Sequence, residues 1–105
     1  MKDFVTIGGQ KYRVETNWNA TVEFLAFKGT DDISALSDFG KLKPSDLAPL
    51  AAACINEGER LEGHDVHLTP ADVGAAASMD EIAAFIQIFV SQVSPKTAPD
   101  TKKKD

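Results

Sequence analysis

The sequence predicts an α+β domain, mostly α, in which an N-terminal β-hairpin precedes a small bundle of four to five helices. Two short runs rich in β-branched and aromatic residues, Phe4-Val5-Thr6-Ile7 and Lys11-Tyr12-Arg13-Val14-Glu15, flank Gly8-Gly9-Gln10. Beyond them, apolar residues recur at three-and-four spacing, and proline, glycine and capping side chains mark the breaks. Length sets the scale: 105 residues, 43% of them hydrophobic, support one modest core.

The hairpin covers about residues 4–15. Its glycines supply the positive φ angles of a tight turn, and alternation places Tyr12 and Val14 on one face with Lys11, Arg13 and Glu15 on the other. Asn17 or Asn19 caps a helix over about 18–28 that Gly29 ends, with Trp18, Val22, Phe24 and Leu25 as its apolar stripe. Within residues 30–43, Ile33, Leu36 and Phe39 line a short helix capped by Asp31 or Asp32 and stopped by Gly40.

Pro44-Ser45-Asp46 opens a helix over about 45–56, continued by Leu47, Leu50, Ala51, Cys54 and Ile55 as far as Asn56-Glu57-Gly58. Pro49 falls early enough in it to be tolerated. Residues 59–68 read as a polar connector. Thr69-Pro70-Ala71-Asp72 then starts a helix over about 70–77, with threonine as cap, proline in the first turn and an acid behind it. The last helix, 79–93, carries Ile82, Phe85, Ile86, Phe89, Val90 and Val93 as a core-facing stripe, with Asp80 and Glu81 at the positive end of its dipole. Each large side chain that it buries is worth roughly 1.5–3 kcal/mol, so this helix is expected to be the largest single contributor to stability. Ser94-Pro95 closes it. Residues 1–94 thus form one domain, and 95–105 read as a disordered polar tail.

Eleven Lys and Arg against sixteen Asp and Glu give a net charge of −5, which opposes binding to nucleic acid or anionic lipid. No apolar run reaches the roughly 20 residues that span a bilayer, and the N-terminus lacks the apolar core of a signal peptide, so a cytoplasmic location is expected. Cys54 is the single cysteine and sits in an apolar helix interior, where it behaves as a small hydrophobe. His64 and His67 lack a third ligand and read as loop histidines. No phosphate cradle, nucleophile elbow or metal motif occurs, and Glu23, Glu57, Glu59 and Glu62 read as solvated, so neither an enzyme nor a cofactor is expected. Ile88 falls opposite the stripe of the last helix, beside Glu81, Ala84 and Gln92. That helix carries more apolar surface than one neighbour covers; either the domain wraps it on two sides, or a partner or second copy docks there.

The order of these elements carries a resemblance: a Gly-Gly hairpin (Ile7-Gly8-Gly9-Gln10-Lys11-Tyr12), an Asn-led helix (Asn17 to Phe24) and a small-residue helix (Leu47 to Ile55). It continues with Leu68-Thr69-Pro70-Ala71-Asp72-Val73-Gly74 and a final amphipathic helix with a polar tail. This pattern resembles the small tail assembly chaperones of long-tailed bacteriophages. The connector from Glu59 to His67 and the segment Cys54 to Gly58 depart from that family's usual pattern. The resemblance implies a non-enzymatic protein that escorts the tape-measure protein while tail-tube subunits polymerise, and that is absent from the finished virion. It also implies a client contact, which is placed on Ile82, Ala84, Phe85, Ile88 and Gln92. Members of that family often have a longer form made by frameshifting, for which Lys102-Lys103-Lys104 is a candidate slippery site. The other classes open to a small acidic binding protein are a head-tail connector or minor tail component and a regulatory or antitoxin-like protein. Neighbouring genes discriminate among them.

Overall fold

The computed structural model describes residues 2–30 and 43–93. Its elements are β1 (Asp3–Ile7), β2 (Gln10–Val14), α1 (Trp18–Phe27), α2 (Pro44–Leu61), α3 (Pro70–Ala76) and α4 (Met79–Val93). The fold is α+β and mostly α, with the hairpin first. The short helix expected within 30–43 and the polar tail over 95–105 lie outside the described residues.

β1 and β2 pair antiparallel with Ile7 opposite Gln10 and Asp3 opposite Val14. Gly8 and Gly9 take φ of 61° and 84°, so both central residues of the turn are left-handed, the arrangement that matches the twist of the strands. Alternation then sends Val5, Ile7 and Val14 into the core with Tyr12 partly buried, while Phe4 stays outside under the Lys11 ammonium, 4.7 Å from its ring centre.

Asn17 is the cap of α1, its Oδ1 accepting from the Ala20 amide at 3.0 Å. The buried face of α1 is Ala20, Thr21, Phe24 and Leu25, whereas Trp18 and Val22, expected in the stripe, are exposed. The small Ala20 lets α1 approach α2 closely, and Thr21 can be buried because its hydroxyl donates to the Asn17 carbonyl at 3.1 Å. Packing against α2 therefore selects a face centred about one residue away from the bulkiest one.

α2 is the centre of the domain, a place the sequence reading assigns to the last helix. It runs through to Leu61, past the expected end near residue 56, and residues 51–59 are all buried. β2, α1 and α3 all pack on it. Ala51-Ala52-Ala53 permits this because methyl side chains let three neighbours close in at once. Gly58 takes the approach furthest: a Cβ there would lie 2.6 Å from the Arg13 carbonyl carbon and 3.0 Å from the Val14 nitrogen. Helix and strand backbones touch at that point. Pro44 occupies the first turn, and the helix carries through Pro49 with one backbone bond missing.

α3 opens with the expected capping box: Thr69 Oγ1 accepts from the Asp72 amide at 3.1 Å and Asp72 Oδ2 from the Thr69 amide at 3.0 Å. It buries Val73 against α2. α4 has a matching box, with Ser78 Oγ accepting from the Glu81 amide at 3.1 Å and Glu81 Oε1 from the Ser78 amide at 3.0 Å. Glu81 also accepts from the Gly8 amide at 2.8 Å and the Gly9 amide at 3.3 Å. These bonds, those from Ser78 and Gly8 foremost, hold its carboxyl below the usual carboxylate range. One carboxylate thereby caps a helix and latches the hairpin tip. Glu81→Ala is expected to speed hydrogen exchange at Gly8 and Gly9 together with the first turn of α4; acceleration confined to the helix would break the link between the two.

Candidate functional site

The last helix is turned relative to the sequence expectation. Phe85 and Phe89 enter the core with ring centres 6.2 Å apart, but Val90 and Val93, assigned to the same stripe, are 51% and 43% exposed. The face that meets the hairpin is Glu81, Phe85, Ile88 and Gln92. Glu81 holds the turn, and Gln92 holds the other end: its Oε1 accepts from the Thr16 amide at 2.8 Å, and its Nε2 donates to Asp3 Oδ2 and to the Val14 carbonyl, both at 2.9 Å. α4 is in effect riveted along β1 at both ends.

This geometry corrects the expected contact set. Phe85 is fully buried and Gln92 is committed to internal bonds, so neither faces outward. Ile88, placed by the sequence on a spare face, is partly buried against the core, and the hairpin is what lies on that side. Ala84 is exposed, and Ile82 is partly buried along a groove.

The surface left outside is a different one. Met79, Ala83, Ile86, Val90 and Val93 follow one another at spacings of four, three, four and three, which aligns them on a single line along the helix, all exposed but Ile86, which is half-buried against the core. Met79 is 89% exposed. Beside the first half of this line, Met79, Ile82, Ala83 and Ile86 join Pro44, Leu47 and Ala77 around an open apolar groove of about 370 Å³. The sequence carries this signal, since the spacing is legible. What it does not carry is which of two apolar lines on one helix turns inward.

The carboxylates expected to be solvated are internal fasteners. Glu57 and Glu59 are buried on α2. Glu57 accepts from Asn17 Nδ2 at 2.7 Å, Asn19 Nδ2 at 3.3 Å and both Arg60 Nε at 2.9 Å and Arg60 Nη2 at 2.7 Å. These bonds, Arg60 first, pull its pKa down to about 2 against the opposing effect of burial. Glu59 accepts from the Arg13 amide at 2.7 Å, closing the outer edge of β2, and meets His64 Nδ1 at 2.9 Å. Glu62 pairs with Lys2 and Arg13. Asn56 receives the Leu68 amide at 2.7 Å and donates to the Leu68 carbonyl at 2.9 Å and to Glu23 at 2.7 Å, pinning the connector to α2.

His67 pairs with Asp65 at 2.6 Å, so each histidine has its own carboxylate. Among the described residues, no cluster of three His, Cys, Asp or Glu side chains is placed to hold a metal ion. Cys54 is buried with Thr16 Oγ1 at 3.4 Å, and burial pushes its thiol up to about 12, so at neutral pH it stays protonated and is no nucleophile. No helix among the described residues is long and apolar enough to cross a membrane. Comparison with protein-family models, curated proteins and solved structures finds no significant match to the chain.

Proposed function

We propose that this protein is a tail assembly chaperone of a long-tailed phage, a non-enzymatic escort that binds helical segments of the tape-measure protein while the tail tube polymerises and is absent from the mature virion. The observation that carries the reading is the apolar line Met79-Ala83-Ile86-Val90-Val93, exposed except at the half-buried Ile86, with the groove beside it. A tape measure is a long, largely helical chain whose apolar stripes aggregate when bare. An amphipathic helix laid against a line spaced four and three meets it knob into hole, and a carrier of charge −5 keeps the pair soluble. The resemblance in element order, from the hairpin to the final helix, supports the same reading.

The contact is accordingly assigned to Met79, Ile82, Ala83 and Ile86, whereas Ala84 is exposed on another side of the helix and does not line the groove. The test is co-expression with fragments of a tape-measure reading frame from the same gene cluster. The wild-type chain is expected to keep such fragments soluble and to co-purify with them. Met79→Asp combined with Ala83→Asp is expected to abolish this while leaving the melting temperature nearly unchanged, because both positions are exposed. Undiminished rescue by the double variant, or a gene cluster with no tape-measure frame, would overturn the assignment.

A further inference from the structure

We infer that Met79 is a site of reversible oxidation, at which a peroxide converts the thioether to a sulfoxide and turns the rim of the groove beside α4 from apolar to polar. The described residues hold two sulfur atoms, on Cys54 and Met79, and the fold treats them in opposite ways. Cys54 is buried in α2, where its thiol stays protonated and lacks the thiolate that reacts with oxidants. Met79 is 89% exposed, more than any other large apolar side chain among the described residues. A thioether has no proton to lose, so access to the sulfur governs its reaction. Met79 is therefore the sulfur that a peroxide meets first; Met1 lies outside the described residues.

In the reaction a sulfur lone pair attacks one oxygen of hydrogen peroxide. The S–O bond forms as the O–O bond breaks, and the other oxygen leaves as water. Sulfur gives up two electrons and the peroxide gains them. A sulfoxide reductase that draws on two thiols reverses the change, releasing water and a disulfide.

Two features of the site give the modification its effect. The capping box around Met79 joins Ser78 to Glu81 at 3.1 and 3.0 Å without using the Met79 side chain, so the start of α4 does not depend on the thioether. The side chains that line the groove with Met79 are apolar apart from Ser78. In the open groove the new oxygen is hydrated. Beneath an apolar occupant it loses that water and meets mainly aliphatic carbon, and a covered acceptor without a donor is costly. This consequence for binding rests on the groove being the client contact, whereas the reactivity of Met79 does not.

The test treats the full chain with hydrogen peroxide and maps its peptides by mass. The Met79 peptide is expected to gain one oxygen at a rate within roughly twofold of a free methionine amide, while the Cys54 peptide stays unmodified and a methionine sulfoxide reductase restores the starting mass. The oxidised protein is expected to keep its melting temperature and to elute earlier from a hydrophobic-interaction column, a shift that Met79→Leu removes. A Met79 rate below roughly a tenth of the free rate, prior oxidation of Cys54, or unchanged elution after complete oxidation would overturn the inference. Client fragments are read separately, with binding to the oxidised protein expected to be roughly tenfold weaker. Equal binding by the two forms would overturn the effect on the groove and leave the chaperone reading standing; no binding by the unoxidised protein would overturn that reading and leave the modification site standing.

Discussion

Gly58→Ala will destabilise this protein, although in an ordinary helix the same change stabilises by about 1 kcal/mol. The reason is the contact between α2 and β2. A methyl group at position 58 would sit 2.6 Å from the Arg13 carbonyl carbon and closer still to its oxygen, and backbone atoms held in a paired strand have no rotamer by which to yield. Helix and strand must separate, which loosens the Arg13 amide bond to Glu59 and the Glu15 amide bond to the Cys54 carbonyl at 3.1 Å. Overpacking of this kind costs about 1–3 kcal/mol or more, and the lost hydrogen bonds add to it, so a net loss of about 2–3 kcal/mol is expected. In a domain of this size that lowers the melting temperature by roughly 10–20 °C. Calorimetry of the single variant decides the matter, and an unchanged or raised midpoint would show that α2 and β2 are not in backbone contact.

The second large effect belongs to Glu57. Its carboxylate collects Asn17, Asn19 and Arg60, and so ties the cap of α1 to the last turn of α2. Glu57→Ala leaves the Asn17 amide without its acceptor beside a buried site and removes the anchor of that cap, a loss of about 2–3 kcal/mol with allowance for the exposure of Arg60. The same group makes stability depend on pH. Its folded pKa, about 2, lies below the ordinary 4.5, so the stabilisation is complete above the unfolded value and is lost as pH falls from about 4.5 toward 2. Asp46 acts in the same direction, its carboxyl lowered first by the Lys28 ammonium at 2.6 Å. Glu57→Gln, which cannot titrate, is expected to flatten the fall in stability over that window relative to the wild type. Equal slopes for the two proteins would mean that the carboxylate gains nothing from its partners.

Much of the architecture was legible because it depends on local chemistry. Two adjacent glycines between β-branched runs admit one kind of tight turn, and Gly8 and Gly9 adopt it. Thr69-Pro70-Ala71-Asp72 satisfies the orphan amides of a helix start by itself, and the helix begins there. Asn17 caps for the same reason. Where the readings missed, the deciding term was contact with something distant in sequence. Trp18 and Val22 are greasier than Ala20 and Thr21, yet closeness to α2 favours the small pair. Glu57 and Glu59 carry the composition of a solvated face, and only the arrival of Asn17, Arg13 and Asn19 makes their burial tolerable. Gly58 reads as a helix stop until β2 is seen lying across it.

What the sequence alone determined is the set of elements, their order and most of their ends, because turns, caps and periodicity are properties of a few neighbouring residues. Tertiary structure decided which helix is central and which line of α4 faces outward. An apolar residue states that it prefers to leave water, but not which neighbour will cover it. On α4 two such lines compete, and the hydrogen bonds of Glu81 and Gln92 to the hairpin settle the rotation that hydrophobicity leaves open.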